Sequence, residues 1–271
     1  MAESDFVAGA RTIEDFGRQW QKFDDVDTGY YGAEILFADI LWPLVRAEDV
    51  SGKFVADVGS GTGRIVKMLL AAGAKTVLAI EPSDAMVVLK RNVGDNPDVE
   101  CLQVEGRQIP AGAGLDWIFS IGVIHHIPDA DSVIRACRNA LRPGGRLALW
   151  LYGKEGNQGY LLFATPLRWL TKRCPDLLLG AFARCCVPLL RVYQWLCRWL
   201  PLPMSGYFRG HVSKLSNRQL VMTVFDQLNP AYAKYYTKEE AIDLLRSAGF
   251  SNIEIHHRHG YSWTIVGERV I

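Results

Sequence analysis

The chain has 271 residues, 49% hydrophobic and 22% charged, with a net charge of +1. That is enough to bury a large core, and it excludes a disordered or polyelectrolyte protein. No apolar run reaches the roughly 18 to 20 residues that cross a bilayer, and the six cysteines have no C-x-x-C spacing. With the polar, acidic start "MAESDFVAGARTIEDFG", this points to a cytoplasmic protein.

The first element is a helix in which Phe16, Trp20 and Phe23 recur at helical spacing. Tyr30 and Tyr31 follow it, beside Gly29 and Gly32. Next comes "FVADVGSGTGRI", Phe54 to Ile65, an apolar run around one acid that predicts a strand covered on both faces. Glycines at its end give a backbone that tolerates positive φ and close approach, ahead of a helix with free N–H groups at its start. Strand and helix patterns then alternate through "TVLAIE", a helix from Ser83, "VECLQV", "LDWIFSIG", a helix from Asp129 that stops at "RPGG", and "RLALWLY". This rhythm predicts an α/β fold with a doubly wound, mostly parallel sheet. Residues 157–229 break the rhythm and read as a helical insertion. Thr237 and Glu240 then form a capping box on a last helix, and "NIEIHHRHGYSWTIVGERV" reads as an antiparallel hairpin turning at His259-Gly260. The predicted organisation is an N-terminal helical lid segment over 1–50, a cofactor-binding α/β core over 51–156, a helical insertion over 157–229 that caps the substrate, and a C-terminal helix and hairpin over 230–271 that complete the core.

Gly59, Gly61 and Gly63 run G-x-G-x-G, with Arg64 where dinucleotide binding asks for its third glycine. With Asp57, Glu81 closing the second strand, "VEGRQIP" after the third and "LRPGG" before the fifth, the pattern resembles class I S-adenosylmethionine-dependent methyltransferases from about Phe54 to Leu151. The resemblance implies S-adenosylmethionine as cofactor. It implies that Gly59, Ser60 and Gly61 lie along the methionine half, with Gly63 also among the cofactor-binding residues, that Asp57 helps hold the ammonium group, and that Glu81 accepts from both ribose hydroxyls. Glu105, with Gly106, stands where the family usually has an Asp facing the adenine amino group, and Ser120 and Ile121 close the site after the fourth strand. In the family a segment before the first strand often closes over the cofactor, a role that Tyr30 and Tyr31 would take, with Tyr235, as substrate-binding residues.

Methyl transfer needs alignment of a nucleophile, and a base only when the acceptor is a hydroxyl. His126 is the first candidate for that base, with a capping or packing role as the alternative; Asp226 and Tyr261 are the next candidates. His256 and His257 would point to opposite faces of a strand, and no metal site is expected. Nine basic residues and one acid lie between Asn157 and Arg218, interleaved with tryptophans and leucines. Such a mixture suits a membrane interface, an apolar pocket with a basic rim, or an ordinary helical cap whose arginines reach solvent. The expected activity is O-methylation of a small-molecule, glycan or lipid-linked acceptor at the inner face of a membrane or in the cytoplasm. N- or C-methylation and a non-catalytic binding module are the rivals, with an RNA transferase a third. No nucleic-acid partner is expected, because "FSIGVIHH" stands where an Asn- or Asp-Pro-Pro-aromatic motif would follow the fourth strand.

Overall fold

The apolar runs fold into one sheet of seven strands: β1 (Phe54–Val58), β2 (Thr76–Ile80), β3 (Val99–Leu102), β4 (Leu115–Ile121), β5 (Leu141–Tyr152), β6 (Ser251–Arg258) and β7 (Ser262–Glu268). The computed structural model describes residues 3–23, 29, 34–171, 174–228 and 232–270. Strand order is β3-β2-β1-β4-β5-β7-β6. The first five strands pair parallel, and β7 enters antiparallel between β5 and β6. The chain winds outward from β1 to β3, then returns to lay β4 on the other side of β1. That reversal opens a crevice at the carboxyl ends of β1 and β4, where such sheets take ligands.

Among the described residues the helices are α1 (Glu3–Lys22), α2 (Glu34–Leu41), α3 (Ala47–Val50), α4 (Arg64–Ala71), α5 (Met86–Val93), α6 (Ala130–Ala140), α7 (Gln158–Thr171), α8 (Asp176–Leu196), α9 (Ser205–Gly210), α10 (Asn217–Leu228) and α11 (Lys238–Ser247). The period-2 geometry of β1 sends Val55 to a core shared with α2, α4 and α5 and Ala56 and Val58 to a core shared with α6 and α11. Both faces are therefore dry, which accounts for the unbroken apolar run.

The end of α6 departs from expectation. The helix stops at Ala140, and "RPGG" lies inside β5. Pairing jumps from Leu115 with Leu141 to Trp117 with Arg146, so proline and glycine make an irregularity in the strand, with Gly144 at φ 76°. The capping box does form: Thr237 Oγ1 accepts from the Glu240 N–H at 3.2 Å, and Glu240 accepts from the Thr237 N–H at 2.9 Å. His259 and Gly260 both have positive φ, 50° and 74°, in a three-residue loop between the paired Arg258 and Ser262.

Helices α7 to α10 occupy the insertion. Leu179 and Ala183 of α8 bury against Met222 and Phe225 of α10, and Phe23 after α1 joins the same cluster. A second cluster, Val187, Cys197, Phe208, Val212 and Leu220, extends that contact. The insertion is thus tied to α1, and both lie over the carboxyl edge of the sheet.

Candidate active site

The glycine loop is shaped by what approaches it. Gly59 has φ 81°, and a Cβ there would sit 2.5 Å from Val123. At Gly63, φ 86°, a Cβ would meet Leu89 of α5 at 2.7 Å. Both positions exclude a side chain on conformational and steric grounds. Gly61 donates its N–H to Glu81 Oε2 at 2.8 Å, and the Trp20 indole of α1 lies across it. Between them Ser60 donates its hydroxyl to the Asp57 carbonyl at 2.9 Å.

These residues border a cavity of about 560 Å³, within the size range of cofactor sites. Its floor is Gly59–Thr62, Glu81 and Ile121–Val123, its sides come from 103–108 and 126–129, and its roof is α1 through Thr12, Phe16 and Trp20. Of the residues expected to hold the cofactor, Gly59, Ser60, Gly61, Glu81, Glu105, Gly106 and Ile121 lie on the wall. Three others lie off it. Ser120 is fully buried and gives its hydroxyl to the Val58 carbonyl, joining β4 to β1. Gly63 is off the wall and serves α4 against α5. Asp57 also lies behind the loop: burial drives its carboxyl up to about 7, and Oδ2 has no hydrogen-bond partner among the described residues. Tyr30 and Tyr31 lie outside the described residues.

Glu81 holds the loop as well as the wall. Its Oε1 accepts from the Ser83 N–H at 3.0 Å and from the Ser83 hydroxyl, while Oε2 accepts from Gly61. A carboxylate offers about four acceptor positions, so one remains on Oε2 for a ribose hydroxyl rather than two. Glu105 sits at the lip, half-exposed, with its carboxylate 2.9 Å from Arg107. Gly106 is closed in by Val58 and Val133, where a Cβ would come within 2.8 Å.

A second chamber of about 210 Å³ adjoins the first and shares Phe16, Trp20, Arg64, Ile121 and Gly122 with it. It gathers Asp226, Tyr235 and Tyr261, three residues proposed from sequence, with Trp150, Tyr152 and Tyr160. Asp226 accepts from Gln19 at 3.0 Å and from the Tyr152 hydroxyl at 3.3 Å. Arg168, one of the nine basic residues of the insertion, is buried in this wall, donating to the Tyr235 hydroxyl at 2.7 Å and to the Gln227 carbonyl at 2.6 Å. Tyr261 accepts from Arg258, and burial raises its hydroxyl to about 12. It therefore stays protonated and is a poor base.

His126 lies on the cofactor cavity, buried against Phe16 with ring centroids 4.8 Å apart. Nδ1 faces the Tyr232 carbonyl at 2.9 Å. A carbonyl only accepts, so Nδ1 carries the hydrogen and Nε2 the lone pair. Burial lowers the affinity of the ring for a second proton, and Asp226 nearby opposes that shift. His125 is the structural member of the pair, stacked on Tyr152 at 3.8 Å with neither nitrogen hydrogen-bonded among the described residues. Sequence reasoning missed Gln103, Val123, Gln19 and Tyr152. Only Tyr152 had a signal: with Trp150 it forms an i, i+2 aromatic pair at the carboxyl end of a strand.

A methyltransferase-domain family model matches residues 56–147. The tRNA U34 carboxymethyltransferase of Cellvibrio japonicus is 36% identical over 122 residues, 42% of this chain and 38% of that one. That of Saccharophagus degradans is 35% identical over 113 residues, 40% and 35% of the two chains. The chain thus spans well under half the length of these relatives, whose names run against the expectation that no nucleic acid is involved. Human N-acetylserotonin methyltransferase, solved in complex with S-adenosylmethionine, aligns over 100% of this chain and 60% of its own, with TM-score 0.56 and 15% identity. A possible histamine N-methyltransferase of Thermotoga maritima aligns over 96% and 98%, with TM-score 0.53 and 16% identity. The bare glycine backbone, the acid closing β2 and the cavity volume fit S-adenosylmethionine, and the family match falls on the strands that build this cavity, so residues 56–147 form a methyltransferase domain.

Proposed function

We propose that this chain methylates a hydroxyl on a ring-bearing acceptor whose reactive end sits in the second chamber. The observation that carries the reading is that the two chambers share one wall, so a group in the second faces the cofactor cavity across Phe16, Ile121 and Gly122. Bound S-adenosylmethionine supplies a methyl group on a positively charged sulfur, open to in-line attack. The aromatic lining of the second chamber supports a flat ring, and Asp226, fixed by Gln19 and Tyr152, would accept a hydrogen bond from its hydroxyl. His126, neutral and with Nε2 unprotonated, is the base we assign. Roofing by α1 and the insertion excludes water from the reacting groups.

The names of the relatives favour a second reading, an RNA acceptor and a carboxymethyl group, over the matched part of the chain. Transfer of label from S-adenosylmethionine labelled in its methyl group, and from the analogue that carries a labelled carboxymethyl group on the same sulfonium sulfur, to a panel of phenols and hydroxylated rings and in parallel to bulk tRNA, separates the two. We expect label on a small hydroxylated ring and a fall of about 10² to 10⁴ in turnover for His126→Ala at unchanged cofactor affinity. Label on tRNA alone would replace the small-molecule reading with the RNA one.

A further inference from the structure

The two sides of α8 are unlike. One side, Leu179, Ala183, Val187 and Gln194, is buried against the rest of the insertion. The other carries Leu178, Phe182, Cys185, Leu189, Val192 and Trp195 at successive three- and four-residue steps, with Trp199 just past its end, all exposed, Leu189 at 72% and Trp199 at 76%. Twenty-one residues make this stripe about 30 Å long. An uncovered apolar surface of that extent on a folded protein marks a contact.

The charges around the stripe choose the partner. After Asp176 no acid appears until Asp226, while Arg184 and Arg198 stand exposed beside the stripe and Arg209, Lys214 and Arg218 are exposed beyond it. Arg191 is turned away, holding the Leu215 carbonyl at 2.6 Å and Gln194 at 2.7 Å. We propose that this face of α8 lies in the headgroup region of an anionic lipid bilayer, with the stripe in the acyl boundary and the arginines on lipid phosphates. Two copies meeting on this face would oppose like charges, with Asp176 the one acid on α8. An RNA backbone would engage the arginines and leave the aliphatic side chains uncovered. Spanning does not compete with this arrangement: among the described residues no helix is long and apolar enough to cross a membrane, and half of α8 is already committed to the fold. Two tryptophans at one end of the stripe match the side chain that concentrates at membrane interfaces.

The test uses the whole chain with vesicles of phosphatidylcholine, with and without phosphatidylglycerol, and reads the fraction that sediments. Binding should require phosphatidylglycerol and fade with added salt. Arg184→Ser with Arg198→Ser should weaken it about tenfold to thirtyfold, and Leu189→Asp by at least about tenfold. All three positions are exposed, and unchanged circular dichroism and cofactor binding would show each variant folded. Absence of sedimentation with the mixed vesicles at low salt would overturn the proposal. So would equal binding by the Leu189→Asp variant, a dimer that the same substitution disperses, or tRNA retention through the two arginines without vesicle binding.

Discussion

At the scale of single residues the site rests on side chains that do two things at once. Glu81 both closes the cofactor wall and pins Gly61, so Glu81→Ala should lose a ribose contact and loosen the loop. We expect about 1 to 3 kcal/mol, or roughly tenfold to a hundredfold in S-adenosylmethionine affinity by calorimetry; an unchanged constant would remove Glu81 from the site. The sequence made Glu81 legible because a strand end and a fixed distance from the loop are local properties. It did not reveal that Ser83 already occupies part of the carboxylate, since that depends on the turn after β2. Nor did it show the depth of Asp57: the resemblance implies a contact with the cofactor, and the side chain lies buried beneath the loop. His211 offers a second test. Burial, aided by Arg258, pulls its imidazole down to about 3. An unfolded histidine gains its proton near pH 6.5, so below that pH the unfolded chain binds the extra proton and the folded one does not. Stability from this group is therefore present above about pH 6.5 and is lost at about 1.4 kcal/mol per pH unit as pH falls. Denaturant titrations near pH 7 and pH 5 should show a shallower loss for His211→Gln than for the parent, and parallel losses would contradict the assignment.

At the scale of elements α1 was the least legible and is the most consequential. Phe16, Trp20 and Phe23 at helical spacing announced a buried face, but nothing local said what that face would cover. In the structure Phe23 goes to the insertion and Phe16 and Trp20 go to the two chambers. Its tie to Asp226 links residues 207 positions apart, a distance no local pattern spans. By contrast β1, β2, β4 and β5 were readable because burial leaves nearly continuous apolar runs, and the hairpin because His259-Gly260 marks a tight turn. The "RPGG" stretch was read one element too early, since proline and glycine that end a helix also distort a strand. Because the cofactor would fill the space beneath α1, its binding should slow hydrogen exchange of the α1 amides in the turn around Phe16 to Trp20. Equal exchange with and without S-adenosylmethionine would mean that α1 roofs the cavity without closing on it.

At the scale of the whole molecule the cofactor half and the acceptor half were legible to different degrees. The core follows from a repeating strand and helix rhythm, whereas Asp226, Tyr235 and Tyr261 come together through the return of α10 and the hairpin, which no spacing encodes. The insertion was read as basic throughout; the structure divides it between Arg168, buried in the chamber wall, and the exposed arginines beside α8. One feature links the halves: Phe16 and Trp20, a turn apart on one rigid helix, wall both chambers. A helix cannot lift over one chamber and stay seated over the other, so the two form a single compartment with one door. Neither product can be exchanged for a fresh reactant while its companion is held inside. In a chase of the enzyme–product complex, S-adenosylhomocysteine and the methylated product should then leave at one shared rate, and two separate release rates would show that the door opens for each product separately.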